Sequence, residues 1–255
     1  MSKSSGKRFQ QIGFNRRIRL EWVEYTANLA LAENDKKSIK SILMDYLSSE
    51  FPNSNKKVRG TISKTITILM KTWINVPEEL EPFKDAGLSL LRETHHDNHI
   101  LIHWGMLTAV YPFWAIAGAY VGRLLRLQGT VPAAQIQRRV KEKYGERETV
   151  SRCARYLLRS YVDWGVLTDT SQRGVYNQGK LFTVDNIKLI TWLIEAQLNS
   201  VLERKASLRT LFDTPSLFPF QLSNISSDQL SKISNRLEVV RHGLDDELIM
   251  LRDSQ

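Results

Sequence analysis

Apolar residues recur at intervals of three and four along most of the chain, the period of α-helices packed on one side. The pattern predicts helices over about 16–33, 37–50, 57–74, 77–92 and 97–110. Asn34-Asp35, Pro52-Asn53-Ser54-Asn55 and Asn75-Val76-Pro77 supply turn chemistry between them. From Phe113 to Leu127, positions 113, 116, 117, 120, 121, 124 and 125 are apolar or small and repeat the helical spacing. The next amphipathic helix is bracketed by Pro132, suited to a first turn, and Gly145, suited to an end. Thr149 can then cap a helix running from Val150 to Asp163. Val150, Ala154, Leu157, Leu158 and Tyr161 share one face of it, and Arg152, Arg155 and Arg159 share the other. The arginines cannot turn inward without exposing the apolar residues.

After Gly165 the period shortens. Gly165-Val166-Leu167 and Leu181-Phe182-Thr183-Val184 are β-rich, and Gly174, Asn177 and Gly179 lie between them, so a hairpin with a long, polar, mobile loop is expected. Gly129-Thr130-Val131 is short enough to be a strand stub that pairs with this hairpin. Asp185 can cap a long helix whose face of Ile187, Ile190, Leu193, Ile194, Gln197, Leu198 and Val201 packs the central module onto the rest. In the last stretch, LFDTPSLFPFQL reads as an irregular loop or edge strand and SSDQLSKIS as a well-capped helix. LEVVRHG with DDELIML fits a small hairpin or a helix end. The fold class is mainly α. A flexible basic tail (1–15) precedes an all-helical domain (16–110), a central module (111–184), and a C-terminal helix with an irregular or β segment (185–255).

Charge sharpens the reading of the central module. The chain carries a formal net +9. Between Arg123 and Lys180, twelve cationic side chains face five acidic ones, a net +7, so most of the excess sits in one segment. A localised positive excess is the footprint of a polyanion-binding surface. In order, residues 112–184 give helix, stub, helix, helix, strand, loop, strand. By that order and its arginine helix, the segment resembles the winged helix-turn-helix superfamily of DNA-binding domains. The resemblance implies that the second helix of the pair enters the major groove and the wing touches an adjacent groove or the backbone. Carried onto this chain, Arg152, Arg155 and Arg159 make base-edge and phosphate contacts with Ser151 and Tyr156 as helpers, and Thr149 starts that helix. Arg138, Arg139, Arg147, Arg173 and Lys180 hold phosphates. Lys3, Lys7 and Arg8 of the tail add further phosphate contacts.

The expected protein is therefore non-catalytic and binds double-stranded DNA. It serves as an accessory subunit of a DNA-directed machine, such as a bacterial defence or mobile-element system, or as a regulator of transcription. Other subunits or a second copy of the chain are compatible partners. The alternative is a helical adaptor whose winged module docks an acidic protein surface. No P-loop, GxGxxG, GxSxG or CxxC signature supports nucleotide cradling or a nucleophile elbow, and no cofactor is expected.

Three features bear on other chemistry. His95, His99 and His103 lie four apart, with Asp97 among them, but the glutamate of a metalloprotease helix is missing after the first histidine. A helix start with polar surface histidines and a half-buried His103 is expected, and no metal. Residues 100–122 contain no Asp, Glu, Lys or Arg and are long enough to cross a bilayer. Tyr111, Pro112 and Trp114 at the middle of that stretch favour two buried helices meeting at Tyr111-Pro112 instead. One cysteine, Cys153, permits no internal disulfide, and the polar, basic start of the chain does not read as a secretory signal, so a reduced cytoplasmic setting is expected.

Overall fold

The computed structural model describes residues 3–51, 56–242 and 246–252. It is 65% helix and 12% strand. The predicted N-terminal helices form as α2 (Leu20–Leu31), α3 (Lys36–Glu50), α4 (Lys56–Trp73), α5 (Glu81–Glu93) and α6 (His99–Val110), and a further helix, α1 (Lys3–Gln10), stands where a flexible tail is expected. The Asn34-Asp35 break works as a cap: the Asp35 carboxylate accepts from the backbone N–H groups of Lys37 and Ser38 at 2.9 and 3.1 Å. Every residue of α6 from Ile100 to Val110 is buried, which explains its uniform hydrophobicity. Pro112 opens α7 (Pro112–Gln128), and α6 with its preceding turn meets α7 at a bend of 115°. Among the described residues no single helix is long and apolar enough to cross a membrane; 96–110 and 112–128 reach that composition only as this bent pair.

The expected tail is built into the body. Arg8 is buried, its guanidinium hydrogen-bonds the carbonyl of Ala109 and lies 3.8 Å from Glu79, and desolvation lowers its pKa to about 10 against the pull of Glu79. An arginine spent this way is withdrawn from phosphate contact; the side chains of Lys3 and Lys7 lie outside the described residues. Phe14 is fully buried, edge-on to Tyr111 and Trp114 at 5.8 and 5.3 Å. The segment 15–19 then runs as a strap that reaches Ser160 and Trp164 through Ile18.

That central region comprises β1 (Thr130–Pro132), α8 (Ala133–Tyr144), α9 (Glu148–Asp163), β2 (Leu167–Asp169) and β3 (Val175–Gln178). The three strands form an antiparallel sheet in the order β1-β3-β2, with Val131 opposite Tyr176 and Thr168 opposite Asn177. The stub therefore pairs as expected, but the hairpin differs. Its second strand is Val175–Gln178, inside the segment expected to be a loop, and the turn shrinks to residues 170–174, closed by Gly174 at φ 79°. Phe182–Val184 becomes β4 and leaves this sheet to pair in parallel with β6 (Phe220–Leu222).

α10 (Ile187–Ser200) is capped by Asn186, not Asp185. It is buried from Leu189 to Ser200 on all sides, not on one face, because it crosses α6 and is covered by the C-terminal segment. Gly105 of α6 allows the crossing: a Cβ there would stand 2.3 Å from Trp192 Nε1. Trp192 stacks on Phe83 at 3.7 Å and donates to the Ile102 carbonyl at 3.2 Å. The C-terminal segment supplies β5 (Lys205–Ser207), α11 (Leu208–Asp213), α12 (Ser227–Ile233), β7 (Leu237–His242) and β8 (Asp246–Leu251). α12 begins with a Ser226–Gln229 capping box, and the last two strands are the hairpin alternative, in the sheet order β5-β8-β7. The buried apolar residues form one cluster from Phe14 to Leu251, so a single core runs across all the segments distinguished by sequence.

Candidate nucleic-acid interface

α9 starts at Glu148 with Arg147 at its N-cap, and Gly165 at φ 70° reverses the chain after its end. Thr149 is thus an exposed first-turn residue, not the cap. The inward face holds Val150, Ala154, Leu157, Leu158 and Tyr161, all fully buried; Tyr161 stacks on Trp104 and donates to the Trp114 carbonyl at 3.0 Å. α8 packs alongside, and the 15–19 strap packs near the C-terminal end. There the Ser160 hydroxyl accepts from Ile18 N at 2.8 Å and Trp164 Nε1 donates to the Ile18 carbonyl at 3.0 Å. Arg17 pairs with Asp163 through two hydrogen bonds.

The outward stripe is narrower and more neutral than its sequence suggests. Arg152 is exposed. Arg155 bonds Glu148 at 2.9 Å, and Arg159 grips both oxygens of Asp169 at 2.7 and 2.8 Å, a hydrogen bond that raises its pKa. Asp169 ends β2, so the Arg159 pair ties α9 to the hairpin whose turn carries exposed Arg173. Ser151 is only 5% exposed and is withdrawn from any helper role. Tyr156 is half-buried with the Arg16 guanidinium 5.7 Å from its ring centre. Arg16 therefore joins this face, although the sequence pattern places it at a helix start. On α8, Arg138 and Arg139 share Glu142 at 3.8 and 3.1 Å, and exposed Arg147 reaches the Tyr144 carbonyl at 3.3 Å. Lys180 lies 4.8 Å over the Phe182 ring and lines a cavity that the C-terminal end of α9 also borders through Asp163 and Trp164. Burial pushes the Cys153 thiol pKa up against the pull of Arg152 and Arg16, so it is an inert packing residue.

That cavity, of about 840 Å³, adjoins a second cluster. The Glu24 carboxylate of α2 meets His99 Nδ1 at 2.9 and 3.1 Å and His103 Nε2 at 2.6 Å. Burial raises the carboxyl pKa, but the bonds and charge from His103 and His99 outweigh it and hold the group at about 2. His103 is fully buried rather than half-buried; desolvation lowers its pKa, so as a neutral ring it donates Nε2–H to Glu24. His96 joins the group, its ring centre 5.1 Å from that of His99. His95, expected on the shared face, instead points away: it is 78% exposed and pairs with Asp97 at 3.3 Å. No local sequence signal links Glu24 to this group, because 75 and 79 residues separate it from its partners.

No protein-family model, curated protein or solved structure matches the chain.

Proposed function

We propose that residues 112–184 form a winged helix-turn-helix module and that the protein binds double-stranded DNA without catalysing a reaction on it. The observation that carries this reading is the outward face of α9, where Arg152, Arg155 and Arg159 stand beside a hairpin turn carrying Arg173 while the opposite face is locked in the core. α9 enters the major groove, and its arginines supply base-edge and phosphate contacts. Arg138, Arg139 and Arg147 on the neighbouring helix and turn, Arg173 on the wing and Arg16 on the strap hold phosphates. Glu148 and Asp169 do not block this use. Exposed ion pairs are worth about 0–1 kcal/mol, so exchanging a carboxylate for a phosphate or a guanine edge costs little, and until then the pairs hold the guanidinium groups extended. The protein acts as an accessory subunit of a DNA-directed machine or as a transcriptional regulator.

One observation favours the adaptor reading: the α9 face mixes Glu148 and Asp169 with its arginines, and Leu127 near the end of α7 is 83% exposed. Salt separates the two. In fluorescence anisotropy with a labelled random duplex, a DNA-binding module loses affinity linearly and steeply in log salt, whereas a protein interface with an apolar centre does not. Absence of duplex binding at low salt overturns the DNA reading.

A further inference from the structure

The environment of His99 poses a problem of proton bookkeeping. Its Nε2 faces the Thr94 carbonyl at 3.3 Å and its Nδ1 faces the Glu24 carboxylate. Both neighbours are acceptors only, and a neutral imidazole carries one proton. With Nε2–H directed at the carbonyl, the Nδ1 lone pair faces the carboxylate, an arrangement that a metal ion held between them completes. A carbonyl fixing one ring nitrogen while the other faces a carboxylate is the arrangement that orients metal-bound histidines.

We propose that Glu24, His96 and His99 form a three-ligand site for a divalent transition metal of the zinc class, opening onto the cavity beside α2 and α6. The candidate ligand atoms, one per residue, lie within 4.8 Å of one another. Two ligands at about 2.0–2.1 Å from a tetrahedral zinc stand about 3.3 Å apart, so a small side-chain rotation of the exposed His96 closes the set. Two imidazoles and one carboxylate suit zinc over calcium or magnesium, which take oxygen-rich sets. His103, which donates to the second oxygen of Glu24 at 2.6 Å, orients the carboxylate from the core without being a ligand. Two ligands come from one helix start and the third from α2, whose packing against α6 sets the spacing before any ion arrives. Three protein ligands leave the fourth position for water or an anion, and the cavity supplies the space. This site is independent of the α9 face and of the DNA-binding reading.

The test is a zinc titration of the untagged, chelator-stripped full-length chain, by calorimetry or competition with a chromophoric chelator, beside two variants. One zinc per chain is expected, weakened at least tenfold by His96→Ala and within twofold of wild type in His95→Ala. Both substitutions are at exposed positions, so folding is preserved and circular dichroism verifies it. Cobalt substitution adds a readout: four-coordinate Co²⁺ gives intense visible absorption in wild type that His96→Ala loses. Failure to bind zinc overturns the proposal. Binding that survives His96→Ala, or that His95→Ala removes, also overturns it by moving the metal to the exposed His95–Asp97 pair.

Discussion

α6 and α9 both match side-chain donors to carboxylates, yet they use them in opposite ways. On α6, His99 and His103 share Glu24 at the edge of the core, and every residue from Ile100 to Val110 is sealed. On α9, Arg155 and Arg159 hold Glu148 and Asp169 in open solvent, and only one face is sealed. Burial makes the first set a commitment, because a partner removed from it leaves a desolvated group behind. Exposure makes the second set exchangeable, since water or a phosphate replaces either partner at small cost.

The largest expected effect tests the exchangeable set. Replacing Arg152, Arg155 and Arg159 together by alanine is expected to weaken duplex binding by several kcal/mol, at about 1–3 kcal/mol for each good base contact, with circular dichroism unchanged. Unchanged affinity in anisotropy would remove α9 from the interface. The committed set comes next: Glu24→Ala is expected to cost about 1–3 kcal/mol in urea unfolding, because it leaves the buried His103 Nε2–H without its acceptor. A loss under about 1 kcal/mol would make the two helices alike. Gly105→Ala, which adds a methyl where α6 meets Trp192, is expected to cost about 1–3 kcal/mol through overpacking, read as a lowered Tm. The smallest effect is that of Asp169→Asn, within about 1 kcal/mol in stability. It is expected to tighten duplex binding by freeing Arg159, and a weakened complex would show that the pair positions the arginine instead.

What the sequence revealed and concealed follows from range. Helices α2 to α10 announce themselves through local periodicity and through breaks such as Asn34-Asp35 and Gly145, because each signal lies within a few residues of the structure it specifies. The wing was placed one strand too late. Val175–Gln178 is polar and becomes a strand because β1 and β2 flank it, while the more apolar Phe182–Val184 finds its partner at Phe220–Leu222 in another part of the chain. Arg152, Arg155, Arg159 and Arg173 were legible as an exposed set. The carboxylates that hold two of them were not, nor was the burial of Ser151 on a helix hemmed by α8. Lys180 is held beside the end of α9 by its backbone bond to Gly165, while its side chain lies over Phe182 on the cavity wall. Glu24 and Arg16 act through contacts with residues far away in sequence, 75 and 79 residues on for Glu24, for which no spacing rule exists.

The strap has a consequence for how the protein is made. Ile18 reaches its two partners on Ser160 and Trp164 only after 142 and 146 further residues have been added. At translation speeds of about 5–20 residues per second, that is a wait of roughly 7–30 s. Throughout it Phe14 and Ile18, both destined for full burial, have no finished surface to cover them. The nascent chain therefore presents an apolar hook near its start until α9 has cleared the ribosome, an interval in which a chaperone that grips short apolar segments finds its natural substrate.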